Sequence, residues 1–456
     1  MSKAAKTVYE CTACGVTSAK WLGRCGGCGG WNTIEETRIS ARTSSSRSIS
    51  QTLAKPIAIA EVASDEADRF STGLPELDRV LGGGVVPGGV VLLGGEPGIG
   101  KSTLLMQALA GAAISGKRVL YVTGEESAAQ VAMRARRLGM RERLLLLATT
   151  DLADVVAALD AAEQDVVVID SIQTLRSGDL ESSAGSVAQL RDVSSRLTEL
   201  AKQRGIALFL IGHVTKDGGL AGPKVLEHLV DTVLSFEGDP THAYRIVRAT
   251  KNRFGPAQEL GVFEMARDGL REVLDASALF IAERPLRAAG SVVTATTQGT
   301  RPLLVEVQAL VAPALYGAPR RVTTGLDANR LAVLLAVLQR RAGVQVLDQD
   351  VFASVAGGLR VDEPAVDLAL CIAIVSSLRD RALERDVSLF GEVGLTGELR
   401  AVARPAARVR EAQKLGFTRI VLPAANAAQL SAEERAGVEL LGVADLDAAL
   451  AAAFGR

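Results

Sequence analysis

"GVVLLGGEPGIGKST", residues 89–103, decides the architecture. An apolar run feeds a turn in which Gly95, Gly100, Lys101 and Ser102 match G-x-x-x-x-G-K-[ST], the phosphate loop of nucleotide hydrolases, and "LLMQALAGAAI" follows as an apolar helix. Strand, loop and helix in that order is the context the pattern requires. The contact surface expected for the nucleotide, ATP, is Gly95, Glu96, Pro97, Gly98, Ile99, Gly100, Lys101, Ser102 and Thr103. Their backbone N–H groups would cradle the β-phosphate at the helix N-terminus. Lys101 would neutralise β- and γ-oxygens, and the Ser102 hydroxyl would ligate Mg²⁺.

Working outward, strand-like runs alternate with helical stretches: "RVLYVTGEES" (118–127), "LLLLATT" (144–150), "DVVVIDS" (165–171), "IALFLIGHVT" (206–215), "DTVLSFEG" (231–238) and "YRIVRATKNRFG" (244–255). That alternation predicts an α/β fold with a mostly parallel sheet covered on both faces. Asp170 ends a buried strand, where a carboxylate can hold Mg²⁺. Glu125 and Glu126 follow a neighbouring strand, where one of them can polarise the water that attacks the γ-phosphate. Glu125 is the favoured one, with a helix N-terminal charge role for the other. His213 sits at a strand end on the same side, as a γ-phosphate sensor or as a hydrogen-bonded loop histidine. "RATKNRFGP" (248–256) reads as the end of the domain's last strand. Its Lys251 and Arg253 are candidates for an arginine-finger function delivered to a neighbouring subunit, which requires a ring or filament. The segment 176–192, opening on Arg176, has Gly and Ser enough to read as a mobile loop facing a DNA channel.

Four of the five cysteines lie within the first thirty residues as Cys11-x2-Cys14-x10-Cys25-x2-Cys28. Two C-x-x-C knuckles fit one tetrahedral Zn²⁺, and four thiolates leave no open position, so the ion is expected to be structural. The fifth, Cys371 in "DLALCIAIVSS", reads as a core thiol. Lys and Arg total 51 against 52 Asp and Glu, a net charge of −1. Any nucleic-acid surface must therefore be local, and Arg320, Arg321, Arg340 and Arg341 are candidates for phosphate contacts or for plain solvated surface. No run of eighteen apolar residues and no apolar leader occurs, so a cytoplasmic protein without a membrane span is expected. The predicted organisation is a four-cysteine ribbon (1–34), a linker (35–65), an ATPase domain (66–275) and a second α/β region (276–456) without a further phosphate loop.

The four-cysteine knuckle, "GEPGIGKST", "VVVIDSIQT" and "KNRFG" together resemble the bacterial RadA (Sms) recombination and repair ATPases, along essentially the whole chain. The resemblance implies a RecA-like core related to hexameric DnaB-type helicases. It also implies binding of single-stranded and branched DNA, branch migration in cooperation with RecA, and a homo-hexameric ring in which Lys251 and Arg253 couple nucleotide to DNA. The C-terminal region is similar to the Lon proteolytic domain, an α+β fold. Where Lon-type proteases carry the nucleophilic Ser this chain has Ala365, within "DEPAVD". Where they carry the partner Lys it has Ala406, within "ARPAAR". A Ser-Lys dyad needs a hydroxyl and an amine, so an inactive scaffold or DNA-binding domain is expected. A different class of function stays open: a nucleotide-switched regulatory ATPase that binds protein partners without translocating on DNA.

Overall fold

The computed structural model describes residues 6–11, 17–27, 29–39, 69–140, 144–213, 225–238, 244–285, 287–314 and 317–455. The chain divides at 272/273 into two compact units. The first unit contains the ribbon and the nucleotide-loop domain.

In the ribbon, β1 (Lys6–Cys11) pairs antiparallel with β2 (Thr17–Ser18) on one side and β3 (Ile34–Ile39) on the other. β3 runs five residues into the stretch read above as linker, because its whole length from Ile34 to Ile39 is matched by β1. Residues 40–65, the remainder of that stretch, lie outside the described residues, as do 66–68.

Nine strands form the sheet of the loop domain. α1 (Pro75–Val80) precedes β4 (Val90–Gly95), and α2 (Lys101–Ile114) follows it. Next come β5 (Val119–Thr123), α3 (Ala128–Arg137), β6 (Leu145–Ala148), α4 (Leu152–Ala161) and β7 (Val166–Asp170). Then follow α5 (Val187–Arg204), β8 (Ala207–His213), α6 (Val225–Leu229) and β9 (Thr232–Glu237). β10 (Tyr244–Asn252), β11 (Leu260–Ala266) and β12 (Gly269–Glu272) complete the sheet. The spatial order is β12-β11-β10-β9-β4-β8-β7-β5-β6. From β9 to β6 all neighbours are parallel, and β9-β10-β11-β12 is an antiparallel extension.

The pleat explains the two cores. Val91, Leu93, Tyr121, Val168, Phe209 and Ile211 point to the face covered by α2, while Leu92, Val122, Val167, Ile169, Leu208 and Leu210 point to the face covered by α4 and α5. Strands buried on both faces read as continuous apolar runs, which is why "VVLLGG" and "VVVID" show no polar alternation. The KNRFG strand is not the domain's last, contrary to the sequence reading. β11 and β12 follow it as an edge hairpin, turned through Arg267–Asp268.

The second unit is mixed α+β. Its sheet has the order β15-β16-β14-β13-β17-β20-β21. The chain runs α7 (Ala276–Ile281), β13 (Ser291–Gln298), β14 (Arg301–Pro313), β15 (Arg321–Thr324), α8 (Ala328–Arg341) and β16 (Gln349–Val355). It continues through α9 (Asp367–Leu378), β17 (Val387–Leu389), the small pair β18 (Glu392–Val393) and β19 (Leu399–Arg400), and α10 (Pro405–Lys414). β20 (Arg419–Pro423), α11 (Ala424–Gln429), α12 (Ala432–Arg435), β21 (Glu439–Val443) and α13 (Leu446–Phe454) close it. Cys371 lies in α9 with no exposure, and burial pushes its thiol pKa up, so it is held as a neutral core thiol. No described helix is long and apolar enough to cross a membrane.

Candidate functional site

Parallel strands deliver their carboxyl ends to one edge of a sheet, and here four adjacent ones do so. Gly95 ends β4 level with His213 of β8, and Asp170 ends β7 level with Thr123 of β5. The turn from β4 into α2 needs φ of +78° at Gly98 and +114° at Gly100, values that a side chain disfavours. It delivers Lys101, only 4% exposed, to the sheet edge. There its Nζ donates to the Gly95 carbonyl (2.8 Å) and the Glu96 carbonyl (2.9 Å), with His213 Nδ1 at 3.3 Å. Burial lowers the Lys101 pKa, against the opposing charges of Asp170, Glu125 and Glu96.

Glu125 and Glu126 separate clearly. Glu126 is tied to Arg134 of α3. Glu125 faces the loop instead: its Oε1 accepts from the Ser171 hydroxyl and lies 2.9 Å from His213 Nε2. Burial raises the Glu125 pKa, but the bonds from Ser171 and His213 and the charge of Lys101 prevail and hold it below its ordinary value. It is an anion at neutral pH.

Asp170, 4% exposed, accepts from the Tyr121 hydroxyl. Burial beside the Asp170 carboxylate raises the Tyr121 pKa, so the phenol keeps its proton, and the Ser102 hydroxyl bonds the same phenol. Ser102 and Asp170 are thereby linked through Tyr121. The donor set, a hydroxyl and a buried carboxylate beside a phosphate-binding turn, fits Mg²⁺. Tyr121 and Ser171 were not singled out in the sequence. A buried aromatic in "VLYVT" looks like core, and its hydroxyl meets Asp170, the last residue of the adjacent strand β7, across 49 residues of sequence.

Lys251 and Arg253 lie at the other end of the sheet. Lys251 is level with Val233, which is level with Leu92, and Arg253 donates its backbone N–H to Asp231 O, two residues lower still. At about 3.3 Å per residue this places Lys251 roughly 10 Å below Gly95 along the strands. Lys251 Nζ caps the carbonyls of Glu227 (2.6 Å) and Val230 (2.7 Å). Arg253 pairs with Asp231 at 3.0 Å, with 53% of its side chain exposed. Gly255 is required where it stands, because a Cβ there would come within 2.7 Å of Gly82 Cα.

Among the other predicted residues, Arg176 is exposed, and Gln189 of α5 bonds the backbone of Ser177, Leu180 and Ser182 in the segment after it. Arg320 forks onto Asp350 and Arg321 binds the carbonyls of Leu347 and Gln349, while Arg340 and Arg341 are exposed in the last turn of α8. Ala365 is fully buried before α9, and Ala406 sits in the first turn of α10. Two residues from each, Glu363 and Arg408 form an ion pair that joins these two segments.

Of the cysteines, Cys11 and Cys25 are described and buried, while Cys14 and Cys28 lie outside the described residues. Gly27 N–H donates to Cys25 Sγ at 3.3 Å, the backbone-to-sulfur bond that stabilises a thiolate in a metal knuckle. Treatment with a strong chelator is expected to release one metal ion per chain and to unfold the ribbon, read as faster proteolytic cleavage within residues 1–39, without moving the ATPase melting transition.

Comparison with known proteins follows this order of parts. Residues 9–36 match the rubredoxin metal binding domain, 58–219 the AAA domain and 344–455 the Lon protease (S16) C-terminal proteolytic domain. "DNA repair protein RadA" of Pseudomonas aeruginosa is 52% identical over 453 residues, and those of Bacillus subtilis and Escherichia coli are each 48% identical, all three covering 99% of both chains. Half-identity along the whole length, through ribbon, nucleotide loop and C-terminal domain alike, means that this chain belongs to the DNA repair protein RadA family.

Proposed function

We propose that the chain is a DNA-dependent ATPase of recombinational repair, which grips single-stranded and branched DNA and drives branch migration with RecA as a cytoplasmic homo-hexamer. The observation that carries the reading is the meeting of Lys101, Glu125, His213 and Asp170 at the carboxyl edge of four adjacent parallel strands. In that edge the loop N–H groups bind the phosphates of ATP, Lys101 moves from its carbonyl partners to the β- and γ-oxygens, and Glu125 orients the attacking water and takes its proton. Mg²⁺, held by Ser102 and Asp170, supplies charge neutralisation when bound.

Two observations favour delivery of Lys251 and Arg253 across a subunit boundary. They stand at the far end of the sheet from their own phosphate loop, and the Arg253 head is half exposed. In a ring, that end can face a neighbour's nucleotide through a heterologous contact. In the C-terminal unit methyl groups stand where the Lon dyad would be, which supports a scaffold or DNA-binding part without proteolysis.

The test is steady-state ATP hydrolysis with and without a single-stranded oligonucleotide across a salt series. Stimulation of about tenfold, fading as salt rises, is expected. Arg253→Ala should bind ATP as wild type does yet lose that stimulation. Equal rates with and without DNA at every salt concentration would instead favour the regulatory switch.

A further inference from the structure

The ribbon carries an aromatic surface that its own core does not use. Its buried cluster is Cys11, Cys25 and Ile34, with Tyr9 packed against it. Trp21 and Trp31, the chain's two tryptophans, stay outside that cluster with 57% and 70% of their surface exposed, and Leu22 beside them is exposed as well. Indoles gain more from burial than almost any other side chain, so two of them together in water on so small a domain mark a contact surface.

The rings are set in place before any ligand arrives. Trp21 Nε1–H donates to the Ile34 carbonyl at 3.2 Å, which satisfies the polar edge of the indole and leaves its faces apolar. Trp31 pairs with Arg24 in an antiparallel bridge, tied down by Cys25 N–H to Gly30 O and Asn32 N–H to Gly23 O, each 2.9 Å. Gly23 lies between the rings. A Cβ there would stand 3.6 Å from Trp21 Cη2 and 3.9 Å from Trp31 Cζ3, so both indoles border the same bare stretch of backbone. Side chains fixed beforehand lose little conformational entropy on binding.

Charge selects the partner. Cysteines aside, Lys20 and Arg24 are the ionisable residues between Glu10 and Glu35, and both are exposed cations. The Arg24 guanidinium lies over the Trp31 ring, 5.9 Å from its centre, and its Nε–H donates to the Gly29 carbonyl at 3.0 Å. Flat π-faces interleaved with cations, and no carboxylate among them, suit unstacked bases and the phosphates that join them. A duplex hides those base faces. We infer that the ribbon is a stacking platform for single-stranded polynucleotide, in which Trp21 and Trp31 take base faces while Lys20 and Arg24 meet the adjoining phosphates. This rests on the DNA reading above. It goes beyond it by placing a separate hold on the strand outside the ATPase domain.

Both tryptophans belong to this surface, so the intrinsic tryptophan emission of the full chain reports on it alone. Titration with single-stranded oligothymidylate is expected to quench that emission saturably, over the concentrations at which the anisotropy of a labelled strand records binding. An abasic strand of the same length, which keeps the phosphates and lacks the bases, should leave the emission nearly unchanged, and so should a duplex. Trp31→Ala is expected to weaken binding of the strand about tenfold, whereas Trp31→Phe, which keeps a ring, should stay within about threefold of wild type. Three results would each overturn the inference and leave the surface to a protein partner: binding by anisotropy with unchanged emission, quenching as strong with the abasic strand, or equal affinities for the Ala and Phe variants. A strand that does not bind at all would instead defeat the DNA reading itself, and the anisotropy control tells the two apart.

Discussion

Lys101→Ala is expected to lower kcat/KM for ATP by about three orders of magnitude, roughly 4 kcal/mol of transition-state stabilisation, while the fold survives. The kinetic half follows from position. The ammonium is the one cation among the described residues that the loop itself delivers to the sheet edge, and a low-dielectric setting magnifies its attraction for developing phosphate charge. The stability half follows from the sign of its pKa shift. Burial lowers the Lys101 pKa, so the folded state disfavours the charged form relative to the unfolded chain. Removing a group that folding disfavours takes away little net support: the Glu96 carbonyl it releases lies at an exposed turn, where water can bond it, and the cost is confined to the buried Gly95 carbonyl. The melting temperature is therefore expected to stay within about 3 °C of wild type. A variant that hydrolyses ATP normally would dissociate the loop from the chemistry. A variant that melts far lower would make Lys101 a structural residue.

How much of this was legible beforehand depends on sequence distance. The phosphate loop is a contiguous pattern, and its strand and helix are contiguous with it, so the decisive stretch could be read directly. The doubly covered parallel sheet was legible for a related reason: strands buried on both faces cannot carry polar residues, and "VVLLGG", "VLYVT" and "VVVID" carry almost none. The choice between Glu125 and Glu126 was not. It turns on Arg134 engaging one carboxylate and on Ser171 and His213 engaging the other, and the latter contacts span 46 and 88 residues. The β11-β12 hairpin was passed over because the KNRFG motif draws a boundary by its chemistry, whereas the boundary of the sheet is set by hydrogen-bond pairing that continues past it. The segment after Arg176 looked loose by composition. Gln189, buried on α5, adds bonds to the backbone of Ser177, Leu180 and Ser182, contacts that composition does not reveal.

Arg408→Met is expected to produce the largest loss of stability in the C-terminal unit, about 3–5 kcal/mol, because it strands a carboxylate that is largely desolvated. Arg408 has no exposure. It binds the carbonyls of Ala295 (2.6 Å) and Ala403 (2.9 Å), pairs with Glu363 and lies over the Phe390 ring at 5.6 Å. Glu363 also accepts from Thr296 Oγ1 (2.8 Å) and the Thr297 backbone (2.7 Å). Calorimetry of the full chain should show one transition falling by about 10 °C. Replacing both partners, Arg408→Met with Glu363→Gln, should recover part of that loss, since no buried charge is left alone. Acid separates this ion-pair account from simple loss of packing. Burial raises the Glu363 pKa, but Arg408 and the threonine bonds prevail and depress it below the ordinary value near ~4.3. A depressed carboxylate contributes stability in full above the unfolded-state pKa and loses it as pH falls through the folded one. In Arg408→Met the sign reverses: a buried carboxyl without its cation is raised, and acid relieves it by protonation. The difference in melting temperature between wild type and variant must therefore narrow as pH drops from 7 toward 4. A gap that stays constant would mean that Arg408 contributes through the volume it fills and not through its charge.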